Sequence, residues 1–310
     1  MPNPSISVCI PCYNSSESLP DLLRQLGDLL PTLAPDFEVI AVNDGSYDDT
    51  WDVLQKLATE YAWLKPLDLL RNYGQHNALL CAVRTATHPI IVTLDDDLQH
   101  PPDQIPLLLD KLDGCDVVYG YPEYEEQSAW RSAAATLTKV ALSRFMGADI
   151  ARRVGPFRAF RTELRDAFAD YSGSFVSLDV LLTWASSRFG AVPTRHEPRT
   201  TGVSHYTFRK LATHALNMVT GFSILPLQIA SVVGFAFCGL GVLLLLYVLS
   251  VQVISGTKVP GFTFLATSIT LFSGVQLLAL GVIGEYIARM HFQSMGKPSY
   301  AVRSSEEQAD

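Results

Sequence analysis

Two long stretches toward the C-terminal end of the 310-residue chain, residues 211–257 and 259–284, contain no Asp, Glu, Lys or Arg. Each is longer than the roughly 20 residues that an α-helix needs to cross the hydrocarbon core of a bilayer. Mean hydropathy is positive, at +0.19, and only 17% of the residues are charged, which is unusual for a purely water-soluble protein. The sequence therefore predicts two transmembrane helices, over about residues 227–254 and 262–283.

Basic residues flank the two predicted spans unequally. Arg209 and Lys210 precede the first span and Arg289 and Lys297 follow the second, whereas the connecting loop carries only Lys258. Because Lys and Arg accumulate on the cytosolic side, both chain ends are expected in the cytosol. The first residues also lack the basic start and the long apolar core of a signal peptide. We therefore expect a multi-pass protein of the cell (inner) membrane with a cytosolic N-terminal domain.

Short apolar runs alternate with amphipathic stretches between residue 6 and about residue 121. This alternation is typical of strand–helix repeats that build a parallel sheet. Between the runs, apolar side chains recur at helical spacing, for example around Leu22, Leu54 and Leu108. We therefore predict an α/β domain in which helices cover a mixed, mainly parallel sheet. The predicted strands are residues 6–10, 37–42, 67–70, 90–94 and 117–120.

The region after these strands, residues 128–192, carries helical patterns in which basic and aromatic residues such as Trp130 and Arg131 lie together. That mixture suits a helix at the lipid headgroup surface, with an ordinary surface helix as the alternative. A further interfacial helix is predicted over residues 206–220. The predicted domains are a cytosolic α/β domain (1–205), an interfacial amphipathic helix with its linker (206–226), a two-helix transmembrane domain (227–288) and a cytosolic C-terminal tail (289–310).

Composition excludes several classes of function. The net charge of −8 argues against a general nucleic-acid binder, which needs a basic surface. The five cysteines lie mostly in apolar runs and suggest no disulfide framework. Cys9 and Cys12 form a CxxC without a second cysteine pair or a nearby histidine, so we predict small buried strand residues rather than a zinc or redox site. No GxGxxG follows the first strand, which argues against hydride transfer with a dinucleotide.

Three polar clusters follow predicted strands, at residues 11–14, 43–46 and 95–100. Because ligands bind at the carboxyl ends of the strands in an open parallel sheet, the clusters are expected to outline one crevice. The adjacent carboxylates of the third cluster repel one another, and a divalent cation would relieve that repulsion. Oxygen ligands suit Mg²⁺ or Mn²⁺, which we assign to Asp97 and Gln99. A solvated acidic loop is the alternative.

Five motifs together resemble the polyprenyl-phosphate group of the family-2 glycosyltransferases, which have a GT-A (Rossmann-like) fold and include dolichyl-phosphate mannose synthase and the undecaprenyl-phosphate aminoarabinose transferases. The resemblance covers nearly the whole chain. It implies inverting transfer of one sugar from a UDP-, GDP- or dTDP-linked donor to a polyprenyl phosphate, for cell-envelope glycan or glycolipid modification. The motifs are IPCYN at 10–14, VNDGS at 42–46, LRNYGQHN at 70–77, DDDLQHPP at 95–102 and RHEPRTTGVSHY at 195–206.

The resemblance also implies roles for individual residues of the crevice. Asp96 and Asp97 are expected to be catalytic, while Asp97 and Gln99 hold Mg²⁺ or Mn²⁺ against the donor diphosphate. Charge on the departing nucleotide is thereby stabilised. The residues expected to bind the nucleotide-sugar are Pro11, Tyr13, Asn14, Asp44, Gly45, Ser46, Asn72 and Asp95.

The acceptor phosphate needs cationic partners. A phosphate monoester has a second pKa near 6, so the acceptor is already largely an oxyanion at neutral pH and needs no strong general base. Planar, permanently charged guanidinium groups suit it better than carboxylates do. For any single arginine, a surface or salt-bridged role is the alternative. The residues assigned to the acceptor phosphate are Arg131, Arg158, Arg195, Arg199 and Ser204.

The sequence departs from the family pattern at several motif positions. Ser15 stands where the family usually has Glu, Pro122 where many members have Arg, and His205 where Lys is frequent. Residues 153–155 lack the acid often found before the Gly-x-Phe-Arg element, which Asp149 could supply. These positions surround the donor base, the sugar and the acceptor phosphate, so they bear on sugar identity more than on reaction class.

Other functions compete with this one. A glycosyltransferase for another membrane lipid is one rival, and a catalytically weak membrane scaffold, motivated by Ser15 and Pro122, is another. A processive polysaccharide synthase fits less well, because neither a QxxRW-type motif nor further spans appear in the sequence. Two spans bury little surface alone and lack an internal polar path, so we expect a homo-oligomer that works with a separate flippase.

Overall fold

The computed structural model describes two compact units. The first, the sheet unit, consists of Met1–Ala212 together with Gly296–Asp310, and the second, the helix unit, is Thr213–Met295. The interfacial helix predicted over 206–220 lies outside the described residues. Those residues are 4–122, 148–151, 153–173, 176–197, 225–255 and 261–303.

The sheet unit is built on a seven-stranded sheet with the order β3-β2-β1-β4-β6-β5-β7. The first four strands run parallel to one another, β6 is antiparallel to both its neighbours, and β7 is parallel to β5. The predicted mixed, mainly parallel sheet is confirmed. The strands are β1 (Ile6–Cys12), β2 (Phe37–Asn43), β3 (Leu64–Asp68), β4 (Ile90–Thr93), β5 (Val117–Pro122), β6 (Arg158–Arg161) and β7 (Phe189–Thr194).

Helices cover both faces of this sheet, which is why its central strands are apolar at nearly every position. One face packs against α1, α2 and α4, and the other against α3, α6 and the 3₁₀ segment Thr162–Phe168. The helices of the sheet unit are α1 (Leu19–Leu33), α2 (Thr50–Glu60), α3 (Gln75–Thr85), α4 (Ile105–Leu112), the short α5 (Ala148–Ala151) and α6 (Leu178–Ala185).

Local sequence explains the first helix. Pro20 lies in its first turn, where a missing N–H costs nothing, and Asp21 favours the positive end of the helix dipole. Leu22, Leu26 and Leu30 follow at intervals of four and are fully buried against the sheet. The helical spacing in the sequence correctly predicted this buried face.

The structure differs from the sequence-based expectation at three strands. The third strand is Leu64–Asp68 rather than 67–70, because the apolar run continues past the strand into the loop that follows. β6 and β7 lie in a region where only helical patterns were evident. β6 begins and ends with arginine, and β7 contains Pro193, which an edge strand tolerates. Neither segment carries the continuous apolar pattern of a buried strand.

The helix unit contains α7 (Leu225–Ser255) and α8 (Gly261–Ser294). Both are long and apolar enough to cross a membrane, with windows of mean hydropathy 2.1 at Leu227–Leu244 and 1.6 at Leu271–His291. Among the side chains of these helices that the structure describes, no apolar one is buried within the unit: Phe235, for example, is 79% exposed. Exposed apolar surface around the whole helix is typical of lipid-facing segments. These helices agree with the two predicted spans and indicate a membrane protein.

The CxxC motif is structural, as the sequence analysis expected. Cys9 and Cys12 are buried in β1 and belong to the cores on opposite faces of the sheet. Residues three apart on a strand point to opposite faces, so the two sulfurs cannot bind one metal ion. Burial also raises the pKa of both thiols, which keeps them protonated.

A buried carboxylate ties the strands together at the amino-terminal end of the sheet. Glu38 of β2 accepts hydrogen bonds from Ser7 Oγ (2.6 Å), from the backbone N–H of Thr87 (2.7 Å) and from Lys65 Nζ (2.5 Å). Burial alone would raise the pKa of Glu38, but these bonds outweigh it and lower the pKa to about 2. The ionised carboxylate therefore stabilises the fold.

Glu38→Gln should lower the free energy of unfolding by about 1–3 kcal/mol at pH 7, because the amide loses the charge-assisted bonds. The folded-state pKa lies below the ordinary value, so this contribution is present above about pH 5 and is lost as the pH falls toward 2. Urea unfolding of the purified protein in detergent, followed by tryptophan fluorescence, measures both effects. Glu60→Gln, at the exposed end of α2, is the control. A difference in unfolding free energy between the wild type and Glu38→Gln that does not change with pH would contradict this role.

Candidate active site

A cavity of about 350 Å³ opens at the carboxyl ends of β1, β2 and β4. In the strand order, β1 lies where the chain reverses direction across the sheet, with β2 and β3 on one side and β4 on the other. Such a switch point is where open α/β sheets bind ligands. The residues that line the cavity are Pro11, Cys12, Tyr13, Asp44, Asn72, Gly74, Gln75, Asp95, Asp96 and Asp97.

The structure brings most of the predicted site residues together here. Both expected catalytic residues, Asp96 and Asp97, line the cavity, and so do five of the residues assigned to the nucleotide-sugar: Pro11, Tyr13, Asp44, Asn72 and Asp95. The other three, Asn14, Gly45 and Ser46, lie in the loops that form its walls.

Asp44 anchors the loop that follows β3. It is 2% exposed, and its two carboxylate oxygens accept hydrogen bonds from the backbone N–H groups of Tyr73 (2.7 Å) and Gly74 (2.8 Å). Burial raises the pKa of Asp44, and the two backbone bonds partly oppose that rise. The carboxylate thus holds the loop against the end of β2.

Gly45 allows this loop to approach. Its φ of +62° lies in the left-handed region, and a Cβ at this position would be 2.4 Å from the carbonyl carbon of Arg71 and from the backbone nitrogen of Asn72. Any side chain there would push the loop outward. The role of Gly45 in this structure is therefore to let Asn72 reach the cavity.

Asn14 and Ser46 join the loops after β1 and β2. Ser46 Oγ donates to Asn43 Oδ1 (2.6 Å) and accepts from the backbone N–H of Asn14 (3.0 Å). Asn14 Oδ1 in turn accepts from the backbone N–H of Tyr47 (2.9 Å), and Asn14 has a positive φ of 53°. A residue keeps this uncommon conformation only where its surroundings hold it. Here the hydrogen bonds between Asn14 and the loop after β2 hold it.

Asp95 carries the most perturbed carboxylate of the cavity. Burial, and then repulsion from Asp96 and Asp97, raise its pKa to about 7. Gln75 opposes this by donating from Nε2 to Asp95 Oδ1 (2.6 Å). Strongly perturbed carboxylates in a cleft are typical of functional sites.

Asp96 holds the loop after β1. One of its oxygens accepts hydrogen bonds from the backbone N–H of Tyr13 (3.1 Å) and from Ser15 Oγ. Burial raises the pKa of Asp96, and the charge of Asp97 adds to that rise. Ser15, which departs from the family pattern, is thus a partner of this carboxylate in the folded chain.

The geometry fits a divalent cation that takes few protein ligands. Asp97 lines the cavity, and its Oδ1 accepts from the backbone N–H of Gln99 (3.1 Å) across Leu98, which has a positive φ of 59°. Within the described ranges, no group of three or more His, Cys, Asp or Glu side chains is arranged to hold an ion alone. Mg²⁺ commonly uses one or two carboxylates and completes its shell with substrate phosphates and water. The acidic loop suits that mode of binding, and the metal role of Gln99 stays a prediction.

The structure describes two of the arginines assigned to the acceptor, and neither lines the cavity. Arg158 is buried, paired with Asp179, and donates from Nε to Thr93 Oγ1 (3.1 Å). Arg195 is half-exposed and pairs with Asp103 (2.8 Å). Their roles at the acceptor phosphate stay predictions. Arg131, Arg199 and Ser204, which carry the rest of that assignment, lie outside the described residues.

Three residues that line the cavity, Cys12, Gly74 and Gln75, are not among the site residues predicted from the sequence. Gly74 has a φ of +95°, and Gln75 begins α3 and reaches Asp95. A glycine immediately before a helix, after an apolar run, is the local signal that marks such a loop. The motif at 70–77 contains that signal.

His100 closes the acidic loop against the core. It is buried, its ring stacks on Phe157 with centroids 5.3 Å apart, and His196 lies 4.9 Å away. Burial, and next the charge of His196, lower the pKa of His100 to about 4. The imidazole is therefore neutral at physiological pH and packs as an aromatic ring.

Sequence comparison identifies relatives of the whole chain. The model of the family described as Glycosyl transferase family 2 matches residues 7–168, which include every residue that lines the cavity. The chain belongs to glycosyltransferase family 2. Undecaprenyl-phosphate 4-deoxy-4-formamido-L-arabinose transferase of Klebsiella pneumoniae (strain 342) is 32% identical over 306 residues, covering 97% of this chain and 94% of that protein. The protein of the same name from Pseudomonas savastanoi pv. phaseolicola is also 32% identical, covering 97% and 92%.

Solved structures show that the chain shares its fold with known proteins. Glucosyl-3-phosphoglycerate synthase from Mycobacterium tuberculosis, in complex with Mn²⁺, UDP and glucosyl-3-phosphoglycerate, aligns with a TM-score of 0.53 at 17% identity, covering 70% of this chain and 78% of that one. Its complex with Mn²⁺ and UDP-glucose aligns with a TM-score of 0.52 at 18% identity, covering 70% and 77%. The predicted GT-A fold is confirmed, and this family-2 member is a glycosyltransferase.

Gly45→Ala should lower the free energy of unfolding of this glycosyltransferase by about 2–4 kcal/mol, because the new Cβ must displace the backbone at Arg71 and Asn72. Gly114→Ala is the matched control, since a Cβ there meets no atom within 4 Å and needs no positive φ. Urea unfolding of both variants in detergent measures the difference. Equal stability of the two variants would show that the loop does not depend on the missing side chain.

Proposed function

We propose that this glycosyltransferase moves one sugar from a nucleotide-sugar donor to undecaprenyl phosphate or a related polyprenyl phosphate, with inversion at the anomeric carbon. The observation that carries the proposal is the acidic cavity at the carboxyl ends of β1, β2 and β4, in a chain whose relatives over 97% of its length bear the name of an undecaprenyl-phosphate transferase. The product would serve modification of cell-envelope glycans or glycolipids.

Mg²⁺ or Mn²⁺ is proposed at Asp97 and Gln99, with Asp95 and Asp96 beside it. The support is electrostatic: burial and mutual repulsion raise the pKa of Asp95 to about 7, and a divalent cation would offset that concentrated negative charge. When bound, such a cation neutralises charge that develops on the departing nucleoside diphosphate. The Mn²⁺ and UDP named for the structurally similar synthase are consistent with this choice.

The donor's nucleotide is proposed to bind along the loops after β1, β2 and β3. Tyr13 is 44% exposed at the cavity, so its ring offers a flat apolar face to a nucleobase. Asp44 is held rigidly by two backbone bonds, and its carboxylate retains free lone pairs for a donor group on the ligand. Asn72 also lines the cavity, and its amide is proposed as a further partner of the nucleotide.

The acceptor phosphate supplies its own nucleophilic oxygen. Because a phosphate monoester is largely a dianion at neutral pH, the site has to position it and screen its charge rather than remove a proton. The carboxylates of the cavity repel a dianion, so arginines must hold it. The proposed set is Arg131, Arg158, Arg195 and Arg199, with Ser204.

Chain connectivity supports a location of both pieces of the sheet unit on the same side of the membrane. Residues 4–197 precede α7, residues 296–303 follow α8, and both pieces belong to the same compact unit. If each helix crosses the bilayer once, the chain returns to the side from which it left. Combined with the excess of basic residues at these ends, this supports a multi-pass inner-membrane protein with the catalytic domain and both termini in the cytosol. We further propose a homo-oligomer, since two membrane-spanning helices alone bury little surface against each other.

Asp97→Asn should reduce sugar transfer at least about 100-fold, because the amide cannot neutralise a divalent cation. The assay combines purified full-length protein in mild detergent, Mn²⁺, undecaprenyl phosphate and UDP-, GDP- and dTDP-linked sugars, with 4-deoxy-4-formamido-L-arabinose among the sugars and lipid-linked product as the readout. Asp113→Asn, an exposed carboxylate after α4, should behave as wild type. Retained turnover in Asp97→Asn would refute the assigned role, and no product from any donor with the wild type would favour a scaffold.

Removal of the divalent cation by a chelator should stop sugar transfer without changing the fold. EDTA is expected to stop transfer by the wild-type protein, and added Mn²⁺ or Mg²⁺ to restore it, because the cavity's carboxylates then regain their counter-charge. The far-ultraviolet circular dichroism of the chelated protein should not change, since the strands and helices are held by apolar cores on both faces of the sheet. Undiminished transfer in EDTA would exclude a metal-dependent reaction.

A further inference from the structure

The segment that follows α8, residues 297–303, returns to the sheet unit and pairs with the end of β3. Leu69 and Val302 form an antiparallel bridge, Leu70 donates its backbone N–H to the carbonyl of Ala301 (3.0 Å), and Arg303 donates its own to the carbonyl of Asp68 (2.8 Å). β3 is an edge strand of the sheet. The returning segment therefore covers an edge that would otherwise be open.

The segment is also anchored away from the bridge. Ser299 is buried and donates from Oγ to the carbonyl of Gly173 (3.2 Å). The guanidinium of Arg84, on α3, lies 5.8 Å from the ring centroid of Tyr300. Contacts at both ends give the segment a defined position in the sheet unit.

The residues that contact this returning segment lie next to the cavity in the sequence. Asp68, Leu69 and Leu70 immediately precede the loop that supplies Asn72, Gly74 and Gln75 to the lining. Asp44 holds the inner side of that loop through two backbone bonds. The returning segment holds its start from outside, so the loop is fixed from two directions.

A chain of side-chain hydrogen bonds makes a second connection. Arg303 Nε donates to Asp68 Oδ2 (2.8 Å), and Asp68 Oδ1 accepts from Asn43 Nδ2 (2.7 Å). Asn43 Oδ1 accepts from Ser46 Oγ (2.6 Å), which in turn binds the backbone of Asn14 (3.0 Å). This series of hydrogen bonds thus connects residues 297–303 to the loops after β2 and β1.

We propose that residues 297–303 support the donor site by holding the loop that lines it, and that Arg303 is a positioning residue for the nucleotide, acting through Asp68. This inference rests on the proposed function only in that the cavity binds a nucleotide. The loop that lines the donor site is therefore supported by a segment that follows both apolar helices in the sequence. A role confined to covering the edge of β3 would affect folding stability but not nucleotide affinity.

Arg303→Gln separates these roles in the full-length protein in detergent, with UDP, GDP and dTDP as probes in the presence of Mn²⁺ and calorimetry as the readout. The Kd of the best-bound probe should rise about three- to tenfold, a modest loss because Arg303 is 42% exposed. Arg303→Lys should recover part of that loss. Arg24→Gln is the matched control, because Arg24 forms an exposed pair with Asp21 on α1, away from the cavity.

Asp68→Asn tests the route of the effect. If the bond from Arg303 acts through Asp68, the double variant should bind nucleotide no more weakly than the worse single variant. A Kd unchanged in Arg303→Gln, even with a lower melting temperature, would overturn the inference, and so would fully additive losses. Wild-type protein that binds none of the three nucleotides would overturn it too. Wild-type protein that binds a nucleotide but transfers no sugar would refute the proposed function and leave this inference standing.

Discussion

Three consecutive carboxylates at the carboxyl end of β4 repel one another, and the rest of the site has to hold them in place. Each is held from a different direction: Asp95 by Gln75, Asp96 by Tyr13 and Ser15, and Asp97 by the backbone of Gln99. Because these bonds keep the carboxylates together, their repulsion cannot be relieved by moving apart. Burial raises the pKa of Asp95 to about 7, the repulsion from Asp96 and Asp97 adds to that rise, and a cation in the cavity would offset the concentrated negative charge.

The loops around this acidic cluster are placed by contacts between strand ends rather than by the ligand. Asp44 binds the loop after β3 through two backbone bonds, while Gly45 leaves room for it to approach. Asn14 and Ser46 join the neighbouring loops. This explains why some motif residues do not line the cavity. Their side chains shape its walls, and preorganised walls reduce what a bound nucleotide would have to order.

The sequence predicts those features of the fold that a local pattern of residues determines. The strands β1, β2 and β4 are largely apolar runs, and the acidic cluster follows one of them, so both the sheet and the position of the crevice could be predicted from the sequence. β6 was not predicted, because Arg158 at its start is buried against partners distant in sequence, Asp179 on α6 and Thr93 on β4. The placement of residues 297–303 depends likewise on partners distant in sequence, among them Asp68 for Arg303 and Gly173 for Ser299. Long-range ion pairs leave no periodic signal, which is why these elements appear only in the folded chain.

Charge distribution also distinguishes the two described arginines assigned to the acceptor. Arg158 is buried with Asp179, and removing a buried charge from its partner leaves the carboxylate uncompensated, at a cost of several kcal/mol. Arg195 is paired with Asp103 and Glu197 at an exposed position, where such pairs contribute about 1 kcal/mol or less. The backbone N–H of Glu197 binds the carbonyl of Gln99 (2.9 Å), which places this segment beside the acidic loop. The proposed acceptor phosphate would therefore displace the partners of Arg195 at a lower cost than those of Arg158, whose charge instead lowers the pKa of Asp95.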